Sequence, residues 1–190
     1  MDGKQFAYCK PGTQRVFIGI PVDKQSQLHI NELLKPIRTL PLNIRWEPES
    51  KRHMTLAFLG IQPISEVRNL IRLFDETYQQ QSHFQYHLSA LKRFPTPTGR
   101  IIALVDDPTG SLENFFQITL DLLRRINLKV DLKEFRPHIT LGRIKKPKQL
   151  KAQFDQSTNI NLGINKIVLY QSTHTDSGSI YTSLKETELK

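Results

Sequence analysis

The chain has 190 residues, with 27 Lys and Arg against 18 Asp and Glu for a formal net charge of +9. That length supports one domain with a substantial core, and the basic balance favours a polyanionic partner. The single cysteine, Cys9, excludes an intrachain disulfide and a cysteine cage for metal, and no apolar run reaches signal-peptide or membrane-spanning length, so a cytoplasmic protein without membrane contact is expected.

In chain order, the first expected strand covers 15–20 (Arg15-Val16-Phe17-Ile18-Gly19-Ile20). Pro21 and Asp23 mark a turn and a helix start, and Leu28, Leu33, Leu34 and Ile37 form that helix's apolar stripe. Pro36 and Pro41 predict that it ends early or bends. A strand over 53–59 closes at Gly60 and Pro63, and a second helix carries Ile64, Val67, Leu70, Ile71 and Phe74 on one face. An alternating strand over 83–91 runs into a loop from Phe94 to Gly99, rich in Pro and Thr.

The second half repeats this order. A strand over 100–105 precedes Asp107 as N-cap and Pro108 as first helical residue. The helix is expected to bury Leu112, Phe115, Phe116, Thr119, Leu123 and Ile126. A strand over 137–144 leads into the basic stretch from Arg143 to Lys151. Strands over 165–171 and near 179–185 are joined by a loop containing Asp176-Ser177-Gly178. Periodicity thus predicts a mixed α and β domain.

Two of these strands carry the same motif, His53-Met54-Thr55-Leu56 and His138-Ile139-Thr140-Leu141. Residues i and i+2 share a strand face, so each imidazole is accompanied by a hydroxyl. One imidazole can take a proton while the other gives one, and the hydroxyls can donate to phosphate oxygens. Met54, Leu56, Ile139 and Leu141 fall on the opposite face, where packing is their expected role. A single His-x-Thr carries little weight, since polar and apolar residues alternate on any half-solvated sheet. The two copies, however, stand 85 residues apart (53 to 138), and the strand 16–20 recurs at 101–105 with the same offset. This implies a duplicated unit, with pseudo-symmetric halves at about 15–93 and 100–186 inside a single domain, 1–190.

With these residues in view, the chain resembles the 2H phosphoesterase superfamily, in particular its bacterial RNA 2′,3′-cyclic phosphodiesterase branch, related to 2′-5′ RNA ligases. The matching stretches are Arg15 to Ile20, Arg45-Trp46, His53 to Gly60, Phe94-Pro95, Phe135 to Arg143 and Val168 to Ser172. The resemblance implies an α+β, duplicated, two-lobed fold, with antiparallel sheets lining a central groove and helices outside. It implies His53 as general acid to the 3′ oxygen, His138 as the base activating water, and a 2′-phosphomonoester product. It also implies an RNA with a 2′,3′-cyclic phosphate end, or a cyclic nucleotide, as partner; a monomer is expected. Ligation on the same site and a non-catalytic basic RNA-binding module are the alternatives. From the residues alone, the acid and base roles are interchangeable.

Thr55 and Thr140 are expected to bind the non-bridging oxygens. Arg143 is a candidate phosphate clamp, although strict alternation from His138 turns it to the far face unless a bulge at Gly142 intervenes. Among Trp46, Phe94 and Tyr170, Phe94 is the first candidate for stacking a terminal base. Lys51, Arg52, Arg93, Arg100, Arg136, Lys145 and Lys146 lie near the motifs and are candidates for attracting an RNA backbone. His83 and His87 read as a solvated sheet face, and His29 and His174 have no partner legible in sequence. No His-x₃-His pattern or acidic cluster suggests a metal, so neither metal nor cofactor is expected.

Overall fold

Five consecutive residues, Val16 to Ile20, are buried in the first strand, which requires cover on both faces and neighbours on both edges. The computed structural model, which describes residues 9–106, 112–130, 134–145, 155–176 and 178–190, supplies both. Its elements are β1 (Thr13–Pro21), α1 (Lys24–Arg38), β2 (Ile44–Trp46), a 3₁₀ turn (Glu49–Lys51), β3 (His53–Pro63), α2 (Ile64–Tyr78), β4 (Phe84–Phe94) and β5 (Ile101–Val105). They continue with α3 (Glu113–Arg125), β6 (His138–Ile144), β7 (Asp155–Ile164), β8 (Lys166–Thr175) and β9 (Gly178–Glu188).

The strands form one sheet in the order β7-β4-β5-β6-β3-β1-β8-β9, with β2 paired to β6 outside that path. All recorded pairings are antiparallel. Its two sides join where β3 meets β6, through the pair Met54 and Ile139. Outward from that seam the order is symmetric, with one exchange. β4, from the first half of the chain, pairs with β5 and β7, while β8, from the second half, pairs with β1 and β9. Each side is therefore built from both halves, an arrangement that periodicity within one strand does not encode.

The helices follow their apolar stripes with adjustments that have local causes. Asp23 caps α1, accepting from the Ser26 N–H at 3.0 Å and also from the Gly163 N–H of β7 at 2.9 Å. The Ser26 hydroxyl donates to the Asn161 carbonyl at 2.9 Å. These bonds dock the start of α1 onto β7; the helix buries Ser26, Ile30, Leu34 and Ile37, and Leu28 stays 65 % exposed, contrary to its expected place in the stripe. Pro36 lies inside α1, which neither ends early nor stops before Arg38. α2 buries Val67, Leu70, Phe74 and Tyr78. The Tyr78 hydroxyl meets the Thr119 hydroxyl of α3 at 2.8 Å, so the polar groups at that helix contact are satisfied. Asp75 accepts from Lys185 Nζ and the Thr187 hydroxyl, tying α2 to β9. The expected cap at Asp107 and Pro108 lies outside the described residues, as does most of the basic stretch from Arg143 to Lys151. No helix among the described residues is long and apolar enough to cross a membrane.

Candidate active site

β3 and β6 lie side by side at the seam, and their alternation is clear at its start. Met54 and Ile139 are fully buried, while His53, Thr55, His138 and Thr140 are half-buried on the opposite face. Those four side chains line one cavity of about 750 Å³. Arg143 and Phe94 line it too, so all six expected site residues border a common space.

A matched irregularity brings Arg143 there. Along β6, Thr140 pairs with Ala103 and Gly142 with Ile102, leaving Leu141 as an extra residue. Leu141 and Gly142 are buried in succession, the phase of the strand slips by one, and Arg143 turns to the side of His138 and Thr140. β3 does the same: Thr55 pairs with Gly19 and Ala57 with Ile18, leaving Leu56 over. Phe58, 85 residues before Arg143, therefore also faces the cavity and is 65 % exposed. Strict alternation fails at both positions for this reason.

The two imidazoles are held alike. His53 Nδ1 lies 2.8 Å from the Lys51 carbonyl and His138 Nδ1 lies 2.9 Å from the Arg136 carbonyl. A carbonyl only accepts, so each Nδ1 carries the proton and donates, and each Nε2 is left for chemistry. Their surroundings differ. His53 sits among Phe17, Tyr181 and Tyr170, at centroid distances of 4.8, 5.2 and 6.0 Å. His138 is stacked on Phe94 at 4.0 Å and 20°. Burial lowers both pKa values from the ordinary histidine value. The carbonyl bond opposes this in each ring; His138 pushes His53 downward and Glu47 pulls it upward, whereas Arg143 pushes both downward.

Glu47 has no motif to announce it. Its backbone N–H donates to the Leu141 carbonyl at 2.8 Å, continuing the pairing of β2 with the bulged part of β6. Its side chain, 17 % exposed, accepts from Arg143 Nε at 3.2 Å at the cavity wall. Tyr181 and His174 also line the cavity, brought in by the pairing of β8 with β1 and of β9 with β8. Phe94 closes β4 rather than lying in a loop, and it borders a second cavity of about 510 Å³ with Phe58, Phe116 and Phe135.

Of the other candidates, Lys51 lines the cavity and Tyr170 lies beside His53. Arg52 is 3 % exposed and donates to Gln27 and Asn31, so it anchors the strand start to α1 and offers no surface charge. Arg93 donates to the Thr98 and Gly99 carbonyls and closes that loop, and Arg136 pairs with Glu134 at 2.8 Å. His83 and His87 bond to Lys190 and Asn161 away from the cavity. Trp46 packs against the core with Arg38 over its ring, and Tyr170 stacks on Phe17.

Known proteins share this architecture and sequence. RNA 2′,3′-cyclic phosphodiesterase of Methanothermobacter thermautotrophicus is 23 % identical over 90 % of this chain and 96 % of its own. The protein of the same name from Thermotoga maritima is 27 % identical over 93 % and 96 %. The crystal structure of E. coli LigT in apo form matches with a TM-score of 0.75 and 22 % identity, covering 94 % of this chain and 99 % of that one, and shows a shared fold. Residues 27–176 match the family model of the 2′-5′ RNA ligase superfamily, and the chain belongs to that superfamily.

Proposed function

We propose that the protein hydrolyses the 2′,3′-cyclic phosphate of RNA ends or nucleotides to a 2′-phosphomonoester, using two histidines as acid and base without a metal. The observation that carries this reading is the convergence of two identically tethered imidazoles, each with its threonine, on one cavity with Arg143. The shared name of the two relatives described above supports the reaction class. The proposed unit is the whole chain, acting as a monomer, with its two pseudo-symmetric halves exchanging β4 and β8 across the β3–β6 seam.

In this mechanism His138 Nε2 takes a proton from water as the water oxygen bonds to phosphorus. The bond from phosphorus to the 3′ oxygen breaks, and that oxygen takes the proton held on His53 Nε2, leaving phosphate on the 2′ oxygen. Glu47 favours the protonated form of His53, while burial and the charges of His138 and Arg143 disfavour it, so the donor role of His53 rests on the family resemblance. The Thr55 and Thr140 hydroxyls and the Arg143 guanidinium stabilise the charge developing on the non-bridging oxygens. Phe94, which borders the cavity, is the residue proposed to stack the terminal base.

The test is incubation of a 2′,3′-cyclic mononucleotide with the protein in EDTA, with phosphate position read by ³¹P NMR. A 2′-phosphomonoester is expected. Activity lost in EDTA and restored by zinc or manganese would overturn the metal-free mechanism, and a 3′-phosphate would reverse the assignment of the leaving oxygen.

A further inference from the structure

The cavity built to receive an anion contains a carboxylate, which needs a reason. Among the described lining residues Glu47 is the sole acidic side chain, set against Arg15, Lys51 and Arg143. It is no loose surface group: its backbone is bonded to the Leu141 bulge, and its side chain is 17 % exposed. It engages Arg143 through Nε at 3.2 Å, one of the five N–H donors of that guanidinium. Sequestering Arg143 is thus not its whole effect. Within a partly desolvated cavity its negative charge acts on whatever anion the cationic groups hold.

We infer that Glu47 is a specificity residue that selects singly charged phosphodiesters over doubly charged phosphomonoesters, and thereby speeds release of the product. This rests on the hydrolytic reading above. A cyclic phosphodiester carries one negative charge, whereas a phosphomonoester, with its second pKa at about 6, carries nearly two in mildly alkaline solution. The arginine and lysine side chains alone would hold the dianion more tightly than the monoanion, and the product would block the site. A fixed carboxylate repels in proportion to ligand charge, so it weakens product binding about twice as strongly in free energy as substrate binding.

The test compares the wild-type protein with Glu47→Gln at about pH 8, where the product is a dianion. KM is measured for a 2′,3′-cyclic mononucleotide and Ki for its 2′-phosphomonoester at fixed ionic strength. In Glu47→Gln, Ki is expected to fall by about fivefold or more and KM by no more than about two- to threefold, so their ratio drops. Glu47→Asp, which keeps the charge, is expected to restore the ratio towards wild type. Equal shifts in KM and Ki, or a lowered kcat with the ratio unmoved, would overturn the inference and leave Glu47 as a brace for Arg143. Absence of turnover by the wild-type protein would overturn the functional reading and this inference together.

Discussion

His53 and His138 are tethered by mirrored hydrogen bonds, each from Nδ1–H to the carbonyl two residues earlier, at 2.8 and 2.9 Å. The bonds fix both tautomers and both ring orientations. Any proton taken or given therefore moves through Nε2, and the pair reads one substrate from two adjacent strands. What distinguishes them is the environment, aromatic on three sides around His53 and a single stacked ring, Phe94, on His138.

Burial lowers both imidazole pKa values below about 6.5, the ordinary histidine value. Between the folded values and that reference the unfolded chain binds more protons than the native one, so stability rises with pH across this window and is lost as pH falls through it. Denaturant unfolding followed from about pH 7.5 down to about pH 5 should show this loss, and His53→Ala or His138→Ala should reduce it. The kcat/KM profile for a cyclic mononucleotide should be a bell centred at or below about pH 6.5. An alkaline optimum would contradict the lowered values.

The acid and base roles separate by choice of leaving group. A nitrophenyl phosphodiester releases a stable phenolate that needs no proton. His53→Ala should therefore recover a larger share of wild-type activity on that substrate than on a cyclic nucleotide, and His138→Ala should not. Selective recovery of His138→Ala would exchange the two roles.

Arg143 reaches the cavity because Gly142 lets β6 bulge against β2. A Cβ at Gly142 would lie 2.8 Å from Ile44 Cγ2 and 2.9 Å from Trp46 Cε3. Gly142→Ala should cost about 1–3 kcal/mol in denaturant unfolding and raise KM through displacement of Arg143. Unchanged stability and KM would show that the bulge tolerates a side chain.

Thr55→Val and Thr140→Val should lower kcat on cyclic mononucleotide and on cyclic-ended oligonucleotide alike, because the hydroxyls act at the phosphoryl group common to both. Salt should weaken kcat/KM steeply for the oligonucleotide and far less for the mononucleotide, which releases few counterions. Equal salt slopes would mean that the net charge of +9 has no part in capturing substrate.

The doubled His-x-Thr and its 85-residue offset were legible because they are local patterns, and local patterns survive in any tertiary setting. Arg143 was ambiguous because one inserted residue, Leu141, inverts every facing after it. The same offset pointed to Phe58 as its counterpart, a signal available from sequence but readable only once both bulges are known. Glu47 was not legible: its importance comes from β2, three residues long, which has too little pattern to announce a strand. β7 was missed because Asp155 to Asn159 is a polar run, and alternation with Ile160, Leu162 and Ile164 starts late. The exchange of β4 and β8 between the two sides of the sheet is a property of long-range pairing, invisible to any window shorter than the chain.

The paired mechanism is tested most directly by turnover of a 2′,3′-cyclic mononucleotide in His53→Ala, His138→Ala and the double variant, with His83→Ala and His87→Ala as controls. Each active-site single variant should lose about 10²–10⁴ in kcat, the range for removing a general acid or base. Because both proton transfers serve one displacement, the double variant should be little worse than either single one. The controls, whose side chains bond outside the cavity, should stay near wild type. Near wild-type turnover by either His53→Ala or His138→Ala would contradict the mechanism.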